Sequence, residues 1–478
     1  MAVPVQRPRG VDAHSHTIVT VVVSNRGPYR FTRTASGGFD AHHASGGVSS
    51  ALRPLLTSGA AGADAAWIAA AHDDDDRAAM VAGEAQAPGI ALTLLDHDPA
   101  LHRLYYDVVS NGTLWFLHHG LFDLVRRPRF DHRFTEAWAA YETVNRSFAK
   151  AAAEVASEGD VVLVQDYQLA LVPEMLRAER GDLRIVHFSH TPFCGPNSIR
   201  VLPDHAALAL CGSMSGAIAG FHSARWARSF EASAREILGN DARCRTFVAP
   251  LGPDPDELAE LAESPAALTA GQELDELVGD RQMIVRSDRV DPSKNIVRGF
   301  AAYDLLLAEH RELRERVVFV ARLTSSRESL PEYMAYANEV EQAAARVNER
   351  WATNDWQPVV VDLRDDYPRT IAALARTDVL LVNPVKDGLN LVAKEGALVN
   401  QRDAVLCLSR DAGAWDELHE TALPVHPYDL AQTAGALHDA LMMPASERAS
   451  RAARWRELSA ARTPRDWLDN QLKAAHSS

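Results

Sequence analysis

Two segments in the C-terminal half set cations and carboxylates beside expected strand ends, a pattern suited to chemistry on a phosphorylated ligand. In IVRSDRVDPSKN a buried-looking strand stops at Asp288 and a helix is expected from near Ser293, which leaves Arg289 and Lys294 in a strand-to-helix loop. Open parallel sheets bind ligands outside the carboxyl ends of their strands. Two cations beside a helix N-terminus suit a pyrophosphate, whose negative charge grows as a bond to it breaks. The residues alone allow an equally good plain account, a surface loop in which Arg289 and Lys294 pair with Asp288 and Asp291. In the second segment, NPVKDGLNLVAKEGALVNQ, an apolar strand turns through Asp387 and Gly388 into a helix. The backbone N–H groups of Leu389, Asn390 and Leu391 would then face a ligand. Asp387 is placed to accept hydrogen bonds from ring hydroxyls and Glu395 from a vicinal ribose diol, since an ionised carboxylate only accepts. Taken singly, each is better explained by structure, Asp387 as a helix cap and Glu395 as a solvated helix residue.

The elements that must position these groups are legible as short β-branched runs alternating with longer helical patterns, the sign of an α/β fold with parallel sheets covered by helices. Strands are expected at Thr17 to Ser24, Ala66 to Ala70, Ile90 to Leu95, Val161 to Gln165, Arg184 to Ser189, Ala217 to His222 and Thr246 to Ala249. A second series follows at Met283 to Ser287, Val317 to Ala321, Val359 to Asp362, Val379 to Asn383 and Ala404 to Leu408. The longest helical pattern is Phe134 to Ser157. Two Rossmann-like domains are the simplest arrangement, residues 1–252 and 253–478, with LGPDPDELAEL as the linker. The closing helices, from about Ser446, can belong to either.

Bulk properties narrow the function further. At 478 residues the chain exceeds a single core, and its 47% hydrophobic and 24% charged residues are ordinary globular composition. A net charge of -15 argues against a general nucleic-acid binder, which needs a concentrated basic surface. Cys194, Cys211, Cys244 and Cys407 have neither metal-ligand nor disulfide spacing, which fits a reducing cytoplasm. The polar start is read as a loose leader, residues 1 to 15, and the apolar run after it is too short for a membrane span. The run His72 to Asp76 reads as a solvated loop ahead of a metal site, because consecutive acids point in different directions.

DRVDPSKN followed by KDGLNLVAKE resembles the donor-binding signatures of the trehalose-6-phosphate synthase family, retaining glycosyltransferases of the GT-B fold. The resemblance runs from about Val21 to Arg451 and implies two Rossmann-like domains facing each other across a deep cleft. VVVSNRGP is similar to the family's first strand with its phosphate-binding arginine, which falls on Arg26. SGGVSSAL resembles the glycine loop in which Gly47 would let backbone approach the donor phosphates. YYDVVSNGTLWFLHH resembles the acceptor segment, so Tyr106 and Trp115 are expected to help hold the acceptor phosphate, with Arg327 of TSSRES reaching the same group. VQDYQLALVP and HFSHTPF carry the family's central pair, Asp166 and His190. With Arg289 and Lys294, this pair makes up the implied catalytic set. No residue is an obvious covalent nucleophile, in keeping with the family's front-face mechanism, which requires no metal or other cofactor.

The departures from the family narrow the expectation. A Trp-x-Gly-Trp-Ser-Gly stretch becomes Trp67-Ile68-Ala69-Ala70-Ala71-His72, the Gly after the donor-site lysine becomes Asn295, and Phe-Ala-Gly-Ala becomes Asp411-Ala412-Gly413-Ala414. His-Ile-Pro-Phe-Pro becomes His190-Thr191-Pro192-Phe193-Cys194. Retained phosphate and diphosphate residues with an altered lining resemble the pseudo-glycosyltransferase branch, the validoxylamine A 7'-phosphate synthases. That branch couples GDP-linked valienol, an unsaturated cyclitol, to validamine 7-phosphate. The implied partners are a small nucleotide-diphosphate donor, GDP-linked ahead of UDP-linked, and a phosphorylated acceptor, with no nucleic acid or membrane; a homodimer would be unsurprising. The alternative is a trehalose-6-phosphate synthase using UDP- or GDP-glucose and glucose 6-phosphate. A non-catalytic sugar-phosphate sensor is disfavoured by the presence of both Arg289 and Lys294.

Overall fold

The computed structural model describes residues 19–43, 47–58 and 65–477. Its strands are short runs such as VVLVQ at Val161–Gln165 and VLLV at Val379–Val382, buried along their whole length. Such continuous apolar runs mark a parallel sheet covered by helices on both faces. Seven of them form one sheet in the order Ala91–Leu95, Ala65–Ala70, Thr20–Val23, Val161–Gln165, Arg184–Ser189, Ile218–Phe221, Arg245–Val248. Six form a second, in the order Val359–Asp362, Val317–Thr324, Gln282–Arg289, Val379–Val382, Val405–Ser409, Leu423–Val425. All pairings within both sheets are parallel.

Strand order fixes where ligands can enter. In the first sheet the chain leaves Thr20–Val23 towards Ala65–Ala70 and later returns on its other side at Val161–Gln165. In the second it leaves Gln282–Arg289 towards Val317–Thr324 and returns at Val379–Val382. Such reversals open a crevice at the carboxyl ends of the strands. Arg26 and Asp166 follow the first pair of strands; Arg289 is the last residue of the strand Gln282–Arg289, one residue beyond the expected stop at Asp288, and Lys294 and Asp387 follow the second pair.

Contacts group the chain into two compact units, Met1–Ala249 with Pro464–Ser478, and Pro250–Thr463. The helix Pro464–His476 therefore packs with the first unit, its Trp467 edge-on to Phe188, while the helix Ala445–Ala460 stays with the second. No helix among the described residues is long and apolar enough to cross a membrane.

Several local expectations are corrected. The antiparallel hairpin Tyr29–Arg33 with Phe39–His43 and the short strand Leu423–Val425 were not anticipated. The acidic run is no solvated loop. Asp73 caps the helix Asp74–Ala82 by accepting from the N–H groups of Asp75 and Asp76, and buried Asp76 accepts from the N–H groups of Phe31 and His72. Asp75 accepts from Arg33 N–H, so the acids fasten the hairpin to the helix. The helix expected from near Ser293 starts instead at Ile296, after a 3₁₀ turn over Pro292–Lys294. Leu104–Trp115 forms a π-helix, and a Cβ at Gly112 would lie 2.7 Å from the Asp107 carbonyl oxygen. π-helical turns recur at functional sites.

Candidate functional site

In the first unit, Arg26 is positioned from the sequence upward. Trp67, fully buried in its strand, donates Nε1–H to Ser24 Oγ at 2.8 Å, and Ser24 Oγ donates to the Arg26 carbonyl at 2.6 Å. The turn after the first strand is thereby pinned and the Arg26 side chain left exposed. Two histidines accompany it. Burial first, then the nearby Arg26 and His102, hold the His72 imidazole below its ordinary pKa. His102 is likewise lowered by burial, against the pull of Asp107, and stacks on Tyr106 with ring centroids 5.4 Å apart. Tyr106 is half-buried, whereas Trp115 is 2% exposed and stacks on His119, so it belongs to the packed wall. Tyr105 ties this segment to the Arg26 turn by donating to Asn25 Oδ1 at 2.8 Å. Gly47 is the exposed first residue of the helix Gly47–Thr57; Ser45 and Gly46 lie outside the described residues.

Asp166 follows the strand Val161–Gln165 with a φ of 71°, a conformation uncommon outside glycine, asparagine and aspartate. The tyrosine ladder beneath holds it there: Tyr141 donates to the Tyr167 carbonyl and Tyr167 to Asn111 Oδ1. Asp166 Oδ1 accepts from the His190 backbone N–H at 3.1 Å, so the ends of two adjacent parallel strands bring the central residues together. His190 Nε2 lies 2.9 Å from Gln165 Oε1 and its Nδ1 3.1 Å from His222 Nε2. Gln165 donates its amide to Gln471, which orients its oxygen towards His190. His190 therefore donates Nε2–H to Gln165 and accepts at Nδ1 from His222. Burial, with His187 adding repulsion, pushes the His190 pKa down to about 3, so the imidazole is neutral at ordinary pH.

The second unit brings Lys294 and Asp387 together across 93 residues of sequence, Nζ to Oδ2 at 2.5 Å. Burial alone would lower the ammonium, but Asp387 and Asp288 outweigh it and raise its pKa. A residue the sequence reading missed anchors this loop. Arg286, wholly buried in its strand, donates to Asp288 Oδ2 at 2.7 Å and to the Lys294 carbonyl at 2.8 Å. A lone arginine inside an apolar strand, two residues from an aspartate on the same face, was the available signal. Burial pushes the Asp288 carboxyl up, against Arg286 and Lys294. Arg289 keeps 55% of its side chain exposed and lies 3.9 Å from Asp291, so the surface pairing is loose for Arg289, while Lys294 takes Asp387 as its ion-pair partner with Asp288 adding to the attraction.

Beyond Asp387, Leu389 to Leu391 form a turn that is held from behind. Gly413 N–H donates to the Asp387 carbonyl and Ala414 N–H to Leu389, and a Cβ at Gly413 would lie 2.0 Å from the Gly388 oxygen. Asn390, at φ 78°, donates its amide to Asp387 Oδ2. Glu395 accepts from the Tyr367 hydroxyl at 3.1 Å, and burial pushes its carboxyl up to about 7, so it is no solvated helix residue. Arg327 is not an open cation on its own unit, since its Nη1 donates to buried Asp291 at 3.0 Å.

The family model for glycosyltransferase family 20 matches residues 19–477. The chain belongs to glycosyltransferase family 20. It has the two-domain GT-B architecture of the family's solved structures. It is 34% identical over 446 residues to the trehalose-6-phosphate synthase of Mycobacterium marinum, covering 88% of this chain and 86% of that protein. It is 31% identical over 431 residues to the validamine 7-phosphate valienyltransferase of Streptomyces hygroscopicus subsp. jinggangensis, covering 85% and 84%. The crystal structure of an alpha,alpha-trehalose-phosphate synthase (UDP-forming) from Burkholderia vietnamiensis superposes with a TM-score of 0.80 at 29% identity, over 96% of this chain and all of that one. The chain spans about half the length of other curated relatives it matches, 48% and 54% in two cases.

Within this family 20 chain the departures separate into two kinds. Asn295 sits at φ 59°, a left-handed position that glycine or asparagine can occupy, and its amide donates to the carbonyls of Asn383 and Pro427. It meets a backbone requirement, and its side chain is buried, with 2% of the residue exposed. Ala69 to His72 is different: Ala69 packs its Cβ 3.3 Å from where one on Gly27 would stand, and His72 adjoins Arg26.

Proposed function

We propose that this transferase couples a GDP-linked unsaturated cyclitol, GDP-valienol, to validamine 7-phosphate through a C–N bond with retention, giving validoxylamine A 7'-phosphate. The observation that carries the reading is the replacement of the Gly-Trp-Ser-Gly stretch by Ala69 to His72 at the Arg26 turn, while the donor-side constellation of Arg289, Lys294, Asp387 and Glu395 is retained. The valienyltransferase relative supports the same reading.

The steps follow from the chemistry of the groups. Lys294, fixed as an ammonium by Asp387, and the exposed Arg289 stabilise the diphosphate as the allylic C–O bond ionises. The positive charge spreads over the ring double bond, in place of an oxocarbenium ion. The acceptor amine attacks on the face the diphosphate leaves, and a leaving phosphate oxygen takes the proton from nitrogen. No metal ion is required. Asp387 and the N–H groups of Gly388, Leu389, Asn390 and Leu391 hold the ring and phosphates, Gly47 gives the phosphates a close backbone approach, and Glu395 accepts from the ribose diol. Arg26, Tyr106 and Arg327 hold the acceptor phosphate, with Trp115 packed behind them. Asp166 orients the acceptor amine. His190, neutral, donates to the donor ring once its Nε2–H is released from Gln165.

A trehalose-6-phosphate synthase activity is the second reading, favoured by Asn295, whose left-handed backbone after Lys294 is one that the family's glycine could equally adopt. Incubation of purified protein with each donor and acceptor pair, with products read by mass spectrometry, separates the two. The amine-linked product is expected; trehalose 6-phosphate alone would overturn the proposal.

A further inference from the structure

Away from the residues above, two helices of the second unit bring together side chains with metal-ligand chemistry. His310 follows the helix Ile296–Glu309, Glu312 lies in the 3₁₀ turn Arg311–Leu313, and His438 projects from the helix Leu430–Met442. One ligand atom from each lies within 4.8 Å of the others. The two imidazoles stack with centroids 3.8 Å apart, and His310 Nδ1 is 3.1 Å from Glu312 Oε1. We propose that this trio is a structural site for a first-row divalent transition ion, with zinc as the ion to test.

The donor set selects the class of ion. Two imidazoles and one carboxylate suit zinc and its neighbours, while magnesium and calcium prefer oxygen throughout. Tetrahedral zinc holds such ligands at ~2.0–2.1 Å, which sets ligand atoms roughly 3.3 Å apart. Binding must turn the stacked imidazoles, whose lone pairs now run side by side, out of their stack so that they converge; the side chains are 28% (His310), 57% (Glu312) and 27% (His438) exposed, which leaves them room to turn. Asp439, whose carboxylate lies 3.6 Å from His438 Nδ1, or water completes the shell.

The placement gives the ion a role. It would cross-link the C-terminal end of the helix Ile296–Glu309 to the helix Leu430–Met442. The start of the first helix is already tied to the chain before the second, through the Asn295 amide on the Pro427 carbonyl. The helix Ile296–Glu309, which begins two residues after Lys294, would thus be held at both ends. The ion takes no part in the transfer reaction, so the site stands or falls apart from the proposed substrates.

The test uses full-length protein stripped with chelator and titrated with zinc chloride, without substrates. One equivalent is expected to bind with micromolar or tighter affinity, and the thermal midpoint to rise by roughly 5 °C at hundredfold excess over Kd. His310→Ala and His438→Ala should abolish both effects while their stripped forms melt as the stripped parent does. If either variant is already less stable when stripped, Glu312→Gln, at an exposed position, decides: about a tenfold loss of affinity is expected, and unchanged affinity overturns the site. No binding at ~100 µM zinc, or binding that survives both histidine substitutions, also overturns it.

Discussion

Replacing Glu395 by Gln removes a carboxyl that burial, reinforced by Glu257 and opposed by the Tyr367 hydroxyl, pushes from 4.5 up to about 7. At 1.36 kcal/mol per pH unit, that rise corresponds to ~3 kcal/mol between the two protonation states. This is an upper figure because the residue is partly exposed. An acid whose folded pKa exceeds its unfolded value binds the extra proton in the fold. Its stabilising contribution is complete below about pH 4.5 and is lost as pH rises through about 7. Urea midpoints of the parent and Glu395→Gln, measured across that window, should therefore diverge, the parent losing up to ~3 kcal/mol relative to the variant and then running level with it above neutrality. Only the ionised form offers both oxygens as acceptors to the two ribose hydroxyls, so donor binding should release up to one proton and weaken as pH falls below about 7. Glutamine cannot ionise, and its affinity should be lower and flat with pH. Parallel stability curves for the two proteins would refute the buried-carboxyl argument. Proton-free binding with a pH-independent Kd would refute the diol assignment.

Lys294→Ala should lower turnover by about 10²–10³, the scale for losing one charge-stabilising group, and strand Asp387 without its cation; turnover within a few-fold of the parent would remove the donor-site assignment. Gly299→Ala would set a Cβ 2.5 Å from Arg286 Nη1, displacing the guanidinium from Asp288 and the Lys294 carbonyl. A loss of about 1–3 kcal/mol with a raised donor KM is expected, and an unchanged KM would show that Arg286 does not position the loop. At position 295 thermal melts should rank Asn above Gly above Ala, because Gly keeps the left-handed φ of 59° and loses only the side-chain bonds, whereas Ala loses both. An alanine variant as stable as the parent would contradict this account.

What the sequence made legible was the material of the sheets. Val161–Gln165, Arg184–Ser189 and Val359–Asp362 were bounded correctly, because each is a short run with β-branched residues in sequence and no helical period. The hairpin Tyr29–Arg33 with Phe39–His43 escaped because its second strand, FDAHH, is polar and exposed, and Leu423–Val425 because three residues containing a proline carry too little signal. The cations and carboxylates of the donor end could be picked out by type, but not their pairing. The sequence offered Asp288 and Asp291 as partners for Lys294, and only the strand order brings Asp387 to it. Arg286 was passed over because a charge inside a strand looks like an interruption until its acceptors are seen. Asn295 was misjudged in the opposite sense, as a change in substrate lining, since backbone φ is invisible in a one-letter code.

The helix Pro464–His476 has a consequence for how the protein is made. It belongs with the first unit, where Trp467 is fully buried against Phe188 and His190 and Gln471 holds the Gln165 amide, yet the whole second unit precedes it in the chain. A nascent chain emerging from the ribosome therefore reaches the second unit's last strand before the first unit's core is complete. Cutting after Thr463 would not yield a trimmed enzyme; it would unwall the histidine at the centre of the first unit. Anyone wishing to study that unit alone would have to splice residues 464–477 onto Ala249, because its boundary in space is not a boundary in translation.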